Sequence, residues 1–248
     1  MTQNFDTPPL ATILEWDSQF FGKIIGRVTA SMLTPASAAQ INEWAITNGV
    51  NCLYFLGTID DIITSQTAEN EGYHLTDVRV TLQHLLRDSI TPPANTSHIR
   101  KAMESDIEPL RIISRNNHSD SRFYYDGHFD LKKCDELYAI WIEQSVRGAA
   151  DQVLVWDEND APIAYVTGKL LSNGTGSVEL VGVHPDWQGK GIGYQLTMQL
   201  LAWFQQRGVK RVTVVTQGRN IGAQVLYQRC GFATVSTELW YHKWFFYR

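Results

Sequence analysis

The sequence has no run of lysines or arginines, and no apolar stretch approaches the roughly 20 residues that a membrane-spanning helix needs. The first absence argues against nucleic acid as a partner, because binding a phosphate backbone draws on clustered positive charge. The second argues against a membrane segment. Cysteine is scarce. Cys52, Cys134 and Cys230 are far apart and odd in number, so they give neither a disulfide framework nor a metal-ligand spacing. No metal is expected. Residues 1–10 are polar, contain Pro8-Pro9 and lack the basic and apolar regions of a signal peptide. Together these absences predict a soluble, cytoplasmic protein.

What is present suits a globular enzyme-sized chain. Of 248 residues, 44% are hydrophobic and 19% charged, enough for one large or two small domains with their own cores. The net charge is −5. One polar, proline-rich stretch, 88–97, separates two patterned regions, which divides the chain into a lobe at 1–87, a linker at 88–97 and a domain at 98–248.

The most informative run is Val183-His184-Pro185-Asp186-Trp187-Gln188-Gly189-Lys190-Gly191-Ile192-Gly193. It joins a strand pattern at 177–183 to a helix pattern at 193–207. Pro185 stops the strand, because it has no N–H to give a ladder. The glycines let the backbone approach a ligand closely. The first N–H groups of the helix have no internal partner, and with the helix dipole they form a cradle for phosphate. A bound diphosphate is the expectation. The glycine spacing is neither that of a Walker loop nor that of a dinucleotide fingerprint.

Elsewhere in the C-terminal region, helices are expected at 105–115 and 131–147, with an aromatic and polar loop at 119–130 between them. A hairpin follows at 152–156 and 162–171, turning at Asp157-Glu158-Asn159-Asp160. After the glycine run come a strand at 211–216, a helix at 221–230 and an aromatic strand from Phe232. This order gives an α/β fold, a mixed twisted sheet flanked by helices. The N-terminal region reads as a shortened copy: a strand at 52–56, a helix ending at Glu71-Gly72-Tyr73, and a strand to Leu86. The copy has no glycine loop.

Two segments carry a family resemblance. Gln188-Gly189-Lys190-Gly191-Ile192-Gly193 resembles motif A of the GNAT acyltransferases, and Asn220-Ile221-Gly222-Ala223-Gln224-Val225-Leu226-Tyr227-Gln228-Arg229-Cys230-Gly231-Phe232 resembles their motif B. The resemblance implies a GNAT fold preceded by a truncated GNAT-like lobe, with acetyl-CoA as co-substrate. It implies that backbone groups from Gln188 to Gly193 hold the pyrophosphate, and that those of Val181 and Val183 bond the pantetheine arm and supply oxyanion donors. Asn220 precedes an apolar helical pattern and is an N-cap by position; in the family an asparagine here reaches the cofactor. Tyr227 lies seven residues on, about two turns, on the same face. Its phenol is the candidate general acid for the departing thiolate. Glu179, four residues before Val183, shares the face of Val183 if no bulge intervenes and is the candidate base.

Three further segments, Trp16-Asp17-Ser18-Gln19-Phe20-Phe21-Gly22, Ser121-Arg122-Phe123-Tyr124 and 138–148, make the chain similar to the TDP-fucosamine acetyltransferase family. That resemblance implies an acceptor amine on a nucleotide-linked 4-amino-4,6-dideoxyhexose and a role in cell-surface polysaccharide biosynthesis. Arg122, Phe123, Tyr124 and Arg147 are the candidate acceptor-binding residues. Lys132 and Lys133 read as a solvated helix face, and His184 and His242 as structural or exposed. A peptide or polyamine acetyltransferase of the same fold, and a non-catalytic acyl-CoA sensor, stay open. A homodimer is compatible with the sequence but not required by it.

Overall fold

A computed structural model describes residues 9–87, 90, 96–115 and 117–246. The elements are β1 (Ala11–Ile13), α1 (Glu15–Phe21), β2 (Ile25–Val28), α2 (Pro35–Thr47), β3 (Cys52–Thr58), α3 (Ile62–Asn70) and β4 (His74–Leu85). They continue with β5 (Ile99–Lys101), α4 (Ile107–Arg115), α5 (Arg122–Asp126), α6 (Leu131–Gln144), β6 (Gln152–Glu158), β7 (Ala161–Leu170) and β8 (Gly176–Val183). The last are α7 (Ile192–Gln206), β9 (Arg211–Gln217), α8 (Ile221–Arg229) and β10 (Ala233–Trp244).

The chain forms two compact units, neither of them continuous in sequence. The first takes the residues up to Arg79, Arg122–Asp130 and those from Thr237 onward; the second takes Val80–Ser121 and Leu131–Ser236. The division into 1–87 and 98–248 follows chain order and misses this arrangement, because β4 leaves the first unit after Arg79 and β10 enters it at Thr237. Most of the proposed linker at 88–97 lies outside the described residues.

In the first unit the strand order is β1-β2-β3-β10-β4. β2 and β3 run parallel, and β10 pairs antiparallel with β3 from Glu238↔Thr58 to Trp244↔Cys52. β3 is buried on both faces from Cys52 to Leu56, as a central strand should be. α2 lays Ala38, Ile41 and Ala45 on this sheet at helical spacing.

In the second unit the order is β4-β9-β8-β7-β6-β5. β6 and β7 are joined by a two-residue turn in which Asn159 and Asp160 take positive φ, 53° and 63°, as tight hairpins require. α7 buries Leu196, Leu200, Leu201 and Phe204 completely. At about 1.5–3 kcal/mol for each such side chain, this burial fixes the helix whose N-terminus is the candidate cradle.

Two sequence expectations change. Residues 119–130, expected as a loop, contain α5, and the buried Phe123 ties that helix to the aromatic rings of Phe21 and Phe129. The helix expected over 131–147 ends at Gln144. A wider turn follows at Ser145–Ala149, closed by Gly148 at φ 117°.

Candidate active site

β8 has two partners only at its start. β7 follows it to Val183, but the parallel register with β9 covers only Gly176↔Val212, Ser177↔Thr213 and Val178↔Val214. From Glu179 to Val183 the edge that faced β9 carries no ladder. The register against β7 also shifts here: Val181 opposes Val166 and Val178 opposes Gly168, so Glu179 and Leu180 together oppose Thr167. This is a β-bulge. Thr167 Oγ1 accepts the displaced Leu180 N–H at 2.9 Å. The bulge removes the condition under which Glu179 was assigned to the face of Val183. In the fold Glu179 is exposed while Val181 and Val183 are half-buried.

The His184 N–H donates to Ile163 O at 2.8 Å, toward β7. By strand alternation the Val181 and Val183 N–H groups point away from β7, to the open edge. The Val183 N–H is already in use: it donates to Asn117 Oδ1 at 3.2 Å. Gln188 Nε2 donates to Val183 O at 3.1 Å and reaches the same Asn117 oxygen at 3.4 Å. An arm laid along this edge must therefore displace the Asn117 amide before it can use Val183. Gly182, between the two valines, lies under the Tyr165 ring; a Cβ there would come within 2.5 Å of it. Tyr165 Oη shares a hydrogen bond with His118 Nε2 at 3.1 Å, and the His118 ring stacks on Tyr138 at 4.3 Å. Burial brings the His118 pKa down to about 4, so the ring is neutral at pH 7. Sequence reasoning missed Asn117, His118 and Tyr165; they come together only through folding.

Beyond β8, Pro185–Trp187 form one tight turn, and Gly189 and Gly191 take φ of 75° and 79°. Gly191 is the N-cap of α7, and no side chain caps that helix. The first helical residue is Ile192, one earlier than expected. Its first-turn N–H groups are therefore left to an outside acceptor. Gln188, Gly189, Lys190 and Gly191 are exposed, and Lys190 Nζ sits 4.2 Å from the Trp187 ring centroid. The site fits a diphosphate: backbone donors, a helix dipole, and a cation at the rim.

Asn220 caps α8, its side chain accepting the Ala223 N–H at 2.9 Å. Its amide nitrogen has no partner among the described residues, so capping leaves a donor to spare. The Tyr227 ring is buried, edge-on to Phe232 at 5.9 Å. Burial pushes its phenol pKa well up, which keeps the proton in place. The Glu179 carboxyl is raised by the atoms around it, lowered by Lys169 and raised again by Asp151.

The candidate acceptor residues do not stay together as a set. Phe123 is 2% exposed and belongs to the core of the first unit, so it offers no surface to a ligand. The Arg147 guanidinium lies in the second unit, paired with the carboxylates of Glu104 and Glu143. Tyr124 is half-buried on α5. Arg122 lies over aromatic rings of the first unit. His242, read as structural or exposed, is fully buried and bonded through Nδ1 to Asp126. Among the described residues, no group of three His, Cys, Asp or Glu could hold a metal ion, and no helix is long and apolar enough to cross a membrane.

Residues 115–232 match the model of the Acetyltransferase (GNAT) family. A solved GCN5-related N-acetyltransferase from Sphaerobacter thermophilus superposes with a TM-score of 0.68 at 15% identity, covering 94% of this chain and 76% of that one. The fold is the GNAT fold. Among curated relatives, the spore coat polysaccharide biosynthesis protein SpsD of Bacillus subtilis is 28% identical over 139 residues, 56% of this chain and 48% of that protein. Mycothiol acetyltransferase of Beutenbergia cavernae is 37% identical over 89 residues, 36% of this chain and 30% of that enzyme. The chain thus matches about half the length of the first relative and less of the second.

Proposed function

We propose that the protein is an acetyl-CoA-dependent N-acetyltransferase whose acceptor is the amine of a nucleotide-linked 4-amino-4,6-dideoxyhexose, with TDP as the nucleotide. The observation that carries the acetyl-CoA half is the pairing of an unladdered β8 edge with an uncapped, glycine-opened α7. One feature offers strand-like donors for an amide-bearing arm, the other a cradle for its diphosphate. The co-substrate supplies an activated acetyl thioester.

The chain's own groups then divide the work. Gln188 to Gly193 hold the diphosphate through backbone N–H groups. The Val181 N–H, and the Val183 N–H once Asn117 has moved, donate to the carbonyl oxygen as charge develops on it. Glu179, raised above the usual carboxylate range, takes the amine proton directly or through water. Tyr227 donates to the leaving sulfur. Its raised pKa makes full transfer uphill against a thiol near ~8.5, so the hydrogen bond in the transition state is its main contribution. The acetyl group moves by direct attack, with both substrates bound at once.

The acceptor half is supported by the sequence resemblance and by a relative named for spore coat polysaccharide biosynthesis. The test is release of CoA thiol when the full chain meets acetyl-CoA and, separately, TDP-4-amino-4,6-dideoxyhexoses, free aminosugars, spermidine and a peptide with a free N-terminus. Release is expected with the TDP-sugars and at least ~10-fold less with the free sugars, because remote binding energy orients the amine. Preferred turnover of spermidine or peptide would replace the acceptor; no release with any would leave a binding protein.

A further inference from the structure

The first unit holds a cluster that the acetyl-transfer site does not use. Two guanidinium groups lie over Trp240, Arg122 at 4.2 Å from the ring centroid and Arg27 at 5.4 Å. Arg122 also stacks on Phe123 at 4.3 Å and sits 5.1 Å from the Tyr54 centroid. Stacking covers the faces of a guanidinium and leaves its in-plane N–H edge for an acceptor. That edge is unused: Arg122 Nε is buried and has no hydrogen-bond partner among the described residues. Two neighbours share the condition. Tyr54 Oη and His242 Nε2 are buried without a partner, on residues 1% and 0% exposed whose rings stack at 4.5 Å. Because His242 Nδ1 donates to Asp126, Nε2 of the neutral ring is an acceptor waiting for a hydroxyl or amine.

Three orphaned polar atoms around one aromatic floor need a ligand or water, since each costs free energy when left unpaired. Charge selects the ligand. Arg27, Arg79 and Arg122 influence one another, and Arg27 is held below its usual pKa first by burial and then by the other two arginines. The carboxylates around the cluster are Glu238, which is paired with Arg79 at 2.8 Å, Asp126, which is bonded to His242 and Trp244, and Asp17, which forms no ion pair with either Arg27 or Arg122 among the described residues. With Glu238 and Asp126 engaged by other partners, Arg27 and Arg122 have only the unpaired Asp17 facing them as counter-charge.

We propose that this cluster binds the diphosphate and sugar of the acceptor: Arg27 and Arg122 hold phosphate oxygens beside Trp240, and Asp17 accepts from a sugar hydroxyl, with the buried Tyr54 Oη and His242 Nε2 lying behind them. The assignment rests on the nucleotide-linked acceptor proposed above and names residues that hold it. Phosphate oxygens accept from N–H groups and a sugar hydroxyl needs an acceptor for its proton; the cluster offers guanidinium donors for the first and a carboxylate acceptor for the second.

The probe is TDP, titrated calorimetrically into the full chain with CoA at saturation, so that the glycine loop is already filled. Wild type should bind TDP. Arg27→Gln and Arg122→Gln should each weaken it at least ~10-fold, as loss of a charge-assisted hydrogen bond does, with acetyl-CoA affinity unchanged within about twofold. Arg122→Lys should recover only part, having the charge without the planar fork. The same variants should raise the KM for a TDP-amino sugar more than they lower kcat. Wild type that fails to bind TDP, or variants that bind it as tightly as wild type, overturn the site. Should Arg122→Gln not fold, the exposed Arg27 carries the test alone. Weakened TDP binding with no acetylation of any nucleotide amino sugar leaves the site standing and removes the acceptor. Acetylation with unchanged KM in both variants does the reverse.

Discussion

Two stretches of the chain, β3–α3–β4 and β9–α8–β10, have the same element lengths at a constant offset of 159 residues (52 to 211, 62 to 221, 74 to 233). The details that hold a helix in place repeat with them. Asp61 and Asn220 both cap their helix by accepting the N–H three residues on. Gly72 and Gly231 both leave it at positive φ, 76° and 86°. The chemistry does not repeat. Ala68 stands where the second stretch has Tyr227. The helix before each stretch also starts differently: α2 is closed by a capping box in which Thr34 and Ser37 each accept the other's backbone N–H, while α7 opens at Gly191 with no cap. Caps and turn glycines preserve the architecture. Helix N–H groups taken by a capping hydroxyl cannot also hold an anion, and of these two N-termini only that of α7 has no side-chain cap.

Gly191→Val is the strongest way to break this difference. No atom lies within 4 Å of the position a Cβ would take, so the protein has room for the side chain. The φ of 79° is what excludes it, since a β-branched residue there is strained by roughly 1–3 kcal/mol. The loop will leave the conformation that aims its N–H groups. Acetyl-CoA affinity should fall by more than ~10²-fold with the fold retained, measured by calorimetry and circular dichroism. Near-normal binding would mean that the cradle lies elsewhere.

Tyr227→Phe makes the second stretch resemble the first at its one reactive position while keeping the ring. Removing one preorganised donor to a charge that develops in the transition state costs ~10²–10³-fold, so kcat should drop by at least ~10² with acetyl-CoA affinity nearly unchanged. A kcat near wild type, with chemistry shown to limit the rate, would reduce Tyr227 to packing.

The elements that carry these two residues were legible in the sequence because their signals are local: a proline-stopped strand, glycines at a helix start, and an asparagine cap before a short helix. The surroundings of Phe123 and Arg147 were not legible, for the opposite reason. Whether an aromatic residue faces a ligand or Phe21 and Tyr54 depends on segments about 70 to 100 positions away in the chain. Arg147 pairs with Glu143, which a helical spacing could suggest, and with Glu104, which it could not. The path of β4 and β10 between units was equally hidden, since a strand pattern does not name its partner. The bulge at Glu179 left no mark in the alternation of the sequence.

Each unit keeps one buried histidine neutral, and acid tests the two separately. His118 in the second unit and His242 in the first each have a pKa lowered to about 4, chiefly by burial. From pH 6.5 down to about 4 the unfolded chain takes up protons that the folded rings refuse, so stability falls as pH falls through that window and levels off below it. Each ring is worth about 3 kcal/mol at order of magnitude, so Tm should drop by roughly 10 °C between pH 7 and 4.5. His118→Phe keeps the stack on Tyr138 and removes one titration, and should remove about half of that slope. A slope unchanged in this variant would assign the whole acid limb to the Asp126–His242 pair.

The smallest effect tests the other side of the comparison. Thr34→Ala removes the side-chain acceptor for the Ser37 N–H and so uncaps α2, leaving Pro35 at the helix start. The loss should be about 1 kcal/mol, or roughly 2–4 °C in Tm, as for other hydroxyl caps. It should not create an anion site. An uncapped N-terminus has donors, but Thr34 at φ −112° is extended, so the chain lacks the left-handed turn that at Gly191 folds the preceding loop around its ligand. Acetyl-CoA binding should therefore keep its stoichiometry of one per chain, with unchanged affinity. A second binding event in Thr34→Ala would show that the cap alone had silenced the first unit, and the glycine turn would lose its place in the argument.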